Sequence, residues 1–137
     1  MAFAALMASL PGVAFAQEQE SDKAEEAEKK MQEYIDKEVE KLVITLNLEY
    51  WQEFYADSTL NHNLRGMQDE LKTLSAAKVS NRDLYIAAQD RWNEKTYESF
   101  HRFLDEKQWA KYLKGGAARE QKARDKRKQK AAGGNIK

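Results

Sequence analysis

Ser80–Leu113, SNRDLYIAAQDRWNEKTYESFHRFLDEKQWAKYL, decides how the rest of the chain is read. Ser80 precedes Asp83 by three positions, a helix-start box. Leu84, Ala88, Trp92, Thr96, Phe100 and Phe103 then recur at steps of three and four, the period of one buried helix face. At Asp105 a second box follows: its carboxylate can accept from the Gln108 backbone N–H, and the Gln108 side chain can reach back. Trp109, Tyr112 and Leu113 form the apolar face of the helix that re-starts there. The stretch predicts a long helix, a sharp turn and a second helix.

Upstream, Leu48, Trp51, Phe54 and Tyr55 open another helix, expected to start near Asn47 to Glu49 and run to about Lys78. Leu60, Leu64, Met67, Leu71 and Leu74 continue its seam in heptad-like steps. Gly66 inside that seam implies either a closely packed neighbour or a bend, with a local irregularity expected around residues 61–66. Ala76–Asn81 is the turn that returns the chain. Two long helices with a short link lie antiparallel. The expectation is an all-α protein, a long antiparallel helical hairpin spanning residues 42–113 with shorter flanking helices. Leu42–Leu46 is a short β-branched run, read as the junction into the hairpin because a lone strand has nothing to pair with.

The termini differ in composition. Met1–Ala16 carries no charge and ends Ala14-Phe15-Ala16 before an acid-rich run, the pattern of a secretory signal with its cleavage site. No Lys or Arg precedes the apolar run, so the true start is expected upstream or the chain truncated. Residues 17–41 are acidic: Glu18 to Glu40 holds ten acids against four lysines. Met31, Tyr34, Ile35, Val39 and Leu42 make its second half an amphipathic helix. Residues 114–137 form a basic tail expected to be partly helical to disordered, with Gly115-Gly116 breaking the helix before it. Its bases include Arg119, Lys122, Arg124, Lys126, Arg127 and Lys128. The two ends carry opposite charge and can pair within one chain or between two.

Several function classes recede on composition. Lys plus Arg and Asp plus Glu both number 23, a formal net charge of zero, so no generic nucleic-acid binder is indicated. With no cysteine there is no disulfide, thiol nucleophile or thiolate metal site. No phosphate loop or nucleophile elbow is present, so no enzyme and no cofactor are expected. Past residue 16 nothing is apolar for long enough to span a bilayer. The only histidines, His62 and His101, fall at similar heights on the hairpin, roughly 7 Å apart along its axis by helix rise. They are weak metal candidates, because zinc needs three or four ligands. The aromatic residues are mostly core by their period, but a thin hairpin cannot bury all of them, which leaves Trp51, Phe54, Tyr55, Leu64, Met67 and Phe100 as candidates for a binding surface. They are the candidate surface for clients or a partner, or else for a dimer.

Leu46-Asn47-Leu48-Glu49-Tyr50-Trp51-Gln52 and Phe103-Leu104-Asp105-Glu106-Lys107-Gln108 match one another. Each pairs a leucine with a glutamine four residues on, at a helix start: Leu48 with Gln52, Leu104 with Gln108. The arrangement resembles the Spy/CpxP family of periplasmic proteins, whose signature Leu-Thr-x-x-Gln occurs twice. In that family the Thr caps a helix and the Gln completes the box. Here Glu49 and Asp105 stand in the Thr position. Asp105 suits a cap; Glu49 is long for one, so Asn47 or Thr45 could take its place. The resemblance implies a cradle-shaped homodimer in the periplasm, or a secreted protein, that binds non-native envelope proteins without ATP. The alternative it implies is a regulatory or adaptor protein docking a specific envelope-stress or metal sensor.

Overall fold

The computed structural model describes residues 11–134, and the side chains of residues 19–133. Residues 1–10 of the signal-like run lie outside the described residues. Its remaining residues, 11–16, form the first turns of a helix. The fold is all-α, with no strand among the described residues. Helix α1 spans Pro11–Leu46, α2 Tyr50–Ala76, α3 Arg82–Phe103, α4 Glu106–Tyr112 and α5 Ala118–Gly134. The chain divides within α1: residues up to Tyr34 form one compact unit, and Ile35 onward a second. In the first unit residues 19–30 are exposed throughout. The second unit holds the core.

Leu42–Leu46, expected as a junction, instead completes α1, and the break falls one residue later. Asn47 takes the left-handed conformation at φ 51°, which Asn tolerates better than most residues. The Leu48 N–H then donates to the Val43 carbonyl at 3.2 Å, the closing bond of a Schellman turn. The same device ends α2. Lys78 has φ 56°, the Val79 N–H donates to the Leu74 carbonyl at 3.1 Å, and that of Lys78 to Ser75 at 3.0 Å.

Helix starts follow local chemistry. The cap of α3 is Asn81, one residue after the expected Ser80; its side chain accepts from the Asp83 N–H at 3.0 Å. The cap of α2 is Glu49, not Asn47 or Thr45. Asn47 is already committed to ending α1.

Helices α2 and α3 pack antiparallel. Asn63 donates to the Thr96 hydroxyl at 3.0 Å, and farther along Trp92 Nε1 donates to Glu70 at 2.5 Å. Gly66 belongs to this seam and α2 passes through it without interruption. A Cβ there would lie 2.4 Å from the Trp92 ring, so the glycine is a notch for the indole rather than a bend. The core comprises Ile35, Val39 and Leu46 of α1, Ala56 and Leu60 of α2, Ala88 and Phe100 of α3, Leu104 and Ala117. Leu64, Met67, Leu71 and Leu74 are half-buried, while Leu84 stays exposed.

Of the tail expected to be partly helical to disordered, residues 118–134 form a helix, and residues 135–137 lie outside the described residues. Gly116, at φ 127° and ψ −18°, re-aims the chain within a wide turn over Leu113–Ala117. Beyond it α5 is helical to Gly134 and docks on α3. Arg124 is buried, its Nε 3.2 Å from Glu94. Arg127 grips both oxygens of Asp90 at 2.8 Å. Charge, not an apolar stripe, seats this helix.

Candidate functional site

The two matching helix starts meet in space. Gln52 Nε2 donates to Gln108 Oε1 at 2.6 Å, and Gln108 Nε2 donates to Gln52 Oε1 at 2.8 Å. Each carbonyl oxygen also accepts from its own cap: Glu49 N–H at 2.9 Å, Asp105 N–H at 3.0 Å. Each amide donates its second hydrogen to the opposite segment, Gln52 to the Phe103 carbonyl at 2.9 Å and Gln108 to Asn47 at 3.3 Å. Asn47 stands two residues before Glu49, and Phe103 two before Asp105, so the pattern is pseudo-twofold. Both glutamines are buried, at 3 % and 7 % exposure. Their bonds meet the requirement that buried polar groups be paired. Asp105 also accepts from the Gln108 N–H at 2.7 Å. Leu104 is buried and Leu48 is half-buried. The arrangement fixes where α2 and α4 begin, and it holds no group placed for chemistry.

The aromatic residues divide. Phe100, a candidate surface residue, is 3 % exposed. It is core, with Phe103 at 5.1 Å and Tyr112 at 5.2 Å between ring centres. Its period placed it on the seam, and the short α4 covers it. Tyr97 and Trp109 extend the cluster at 4.9 Å. Burial pushes the Tyr112 hydroxyl up to about 12, with Glu120 adding to the rise and Arg124 opposing it. By contrast Trp51, Phe54 and Tyr55 are 49 %, 66 % and 52 % exposed. Tyr55 touches both of the others edge-on at 6.0 Å and stacks toward Phe103 at 6.1 Å. Trp51 is held by its indole N–H, 2.5 Å from the Glu49 carboxylate. Leu64 and Met67, farther along α2, are half-buried.

Sequence reasoning missed Tyr50, the most exposed large side chain of this region at 90 %. It falls between the motif positions, off the helical period, and that absence of a buried register was the available signal.

His62 and His101 are not brought together around a metal. His62 sits edge-on to Trp92 at 6.2 Å, and His101 stacks on Trp109 at 4.1 Å. Among the described residues no group of three or more His, Asp or Glu side chains is arranged to hold a metal ion.

Of the basic residues, Arg124 and Arg127 are spent on α3. Donating to the Asp90 carboxylate raises the Arg127 guanidinium above its ordinary range. Arg119, Lys122, Lys126 and Lys128 are exposed. No described helix is long and apolar enough to cross a membrane. No family model matches the chain, and neither a curated protein nor a solved structure matches it.

Proposed function

We propose that this chain is a periplasmic or secreted protein that binds exposed segments of non-native envelope proteins without ATP, working as a homodimer. The observation that carries the reading is the aromatic surface on the first two turns of α2. Trp51, Phe54 and Tyr55 form one contiguous patch, and at these exposures it offers roughly 300 Å² of ring surface. That is the size of the largest apolar patch on a typical monomer, which is often functional. Covering it contributes about 8 kcal/mol gross at the usual area coefficient, against association costs of about 4–15 kcal/mol. The balance is weak, reversible binding, suited to many clients rather than to one permanent partner. Exposed aromatics seated on a rigid helix also present large contact area at little entropic cost.

The repeated helix-start motif and its resemblance to Spy-like proteins support the same reading. So does the signal-like N-terminus, which favours a periplasmic or secreted compartment.

The test is light scattering of two unrelated unfolding proteins, without ATP, across ratios of this protein to client. Suppression of aggregation of both near stoichiometric ratios is expected. No suppression of either, with saturable binding to a single folded envelope protein, would replace this reading with that of an adaptor for a stress or metal sensor.

A further inference from the structure

Helix α5 is sorted by charge around its axis. Ala117, Gln121 and Arg124 share the side that meets α3, where both Gln121 and Arg124 bond to Glu94. On the opposite side lie Arg119, Lys122 and Lys126, at steps of three and four, which 3.6 residues per turn gathers into one stripe; Lys130 continues the spacing at its end, where it also borders the groove against α3. All four are exposed. The two acids of the helix, Glu120 and Asp125, fall off this stripe. The stripe has no large apolar side chain to insert into a bilayer.

The chain carries the complement. In the first unit, Asp22, Glu25, Glu26 and Glu33 share one face of α1, again at helical spacing, with Lys29 the base among them. Residues 19–30 are exposed on every side. A charged helix with so little buried surface is marginal by itself, so a docking partner would add to its stability.

We propose that the outer face of α5 docks the acidic face of α1 from a second copy of this chain, giving a salt-sensitive contact between protomers. The occupant is favoured by charge. The acid-rich stretch supplies the sign the stripe lacks, and the two faces carry opposite charges at the same three-and-four spacing except at Lys29. This inference names the surfaces for the homodimer proposed above and rests on that reading. It does not involve the aromatic patch, so client binding is measured separately.

The test is sedimentation velocity of the full chain at about 50 mM and about 500 mM salt, where screening differs severalfold in range. Association is expected at low salt and dissociation at high salt. Association driven by the apolar N-terminal run would strengthen with salt instead. Reversing the stripe (R119E, K122E, K126E, K130E) should leave a monomer at low salt, as should reversing the acidic face (D22K, E25K, E26K, E33K). Mixing the two variants should restore a complex. A low-salt monomer for the unaltered chain, or failure of the mixture to associate, would overturn the proposal. So would stripe-dependent binding to anionic phosphatidylglycerol vesicles by a chain that stays monomeric, which would assign the stripe to a lipid surface. Aggregation suppression measured in the same buffers separates loss of this contact from loss of client binding.

Discussion

At Gln52 one amide ties together three pieces of chain: the start of its own helix, the end of α3 and the start of α4. Removing it by Gln52→Leu leaves the Gln108 amide and the Phe103 carbonyl underbonded, a loss of about 1–3 kcal/mol. Gln108→Leu should behave alike. Because each variant strands the other's partner, the double variant should lose less than the two single losses added together, by about 1 kcal/mol or more. Urea unfolding followed by tryptophan fluorescence measures this, and additive losses would show that the two amides act independently. Gly66 invites a similar cycle. Gly66→Ala drives a methyl into the Trp92 ring and should cost about 1–3 kcal/mol. Adding Trp92→Leu should recover part of that loss, measured by the same unfolding experiment. Tyr112 gives a pH signature. Its native hydroxyl ionises near 12 rather than 10, so above pH 10 the unfolded chain releases its proton first. The stability this neutral phenol contributes is complete below pH 10 and lost as pH rises toward 12. Urea midpoints should fall over that window, and Tyr112→Phe should fall less.

At the scale of elements, the turn between α4 and α5 is set by one glycine of a pair. Gly116 alone has positive φ, and nothing lies within 4 Å of a Cβ at either position. Gly116→Ala should therefore lose about 1–3 kcal/mol from backbone strain, while Gly115→Ala should be neutral or stabilise by up to about 1 kcal/mol. Thermal unfolding of the two variants checks the contrast. The pair was legible as a break, though not which member makes it, since Gly-Gly carries no sign of φ. Helices α2, α3 and α4 were legible from their apolar spacing, but the capping residue only for α4, at Asp105; α2 and α3 are capped by Glu49 and Asn81 instead of the expected residues. The docking of α5 was not, because its partners are Asp90 and Glu94 on a distant helix, and ion pairs across helices leave no apolar period. Leu42–Leu46 misled through its β-branched composition: the run finishes a helix whose stop is written at Asn47.

For the whole molecule, the repeated Leu-x-x-x-Gln segments announced two equivalent helix starts, but not that their glutamines bond to one another. That pairing depends on α2 and α3 lying antiparallel, which brings positions 56 residues apart together. The candidate surface was legible in part. Trp51, Phe54 and Tyr55 emerge on the exterior, whereas Phe100 is claimed by α4. Sequence period records which residues share a face, and only the packed neighbours decide which faces are left uncovered. The proposed client binding depends on that uncovered face. The deciding measurement is aggregation suppression by a variant in which Trp51, Phe54 and Tyr55 are replaced by serine, beside the unaltered protein. Circular dichroism and unfolding midpoints would establish that both are folded. The expected result is that the variant keeps its helical content and loses at least tenfold in potency toward two unrelated clients. A folded variant that suppresses aggregation as well as the original would contradict it.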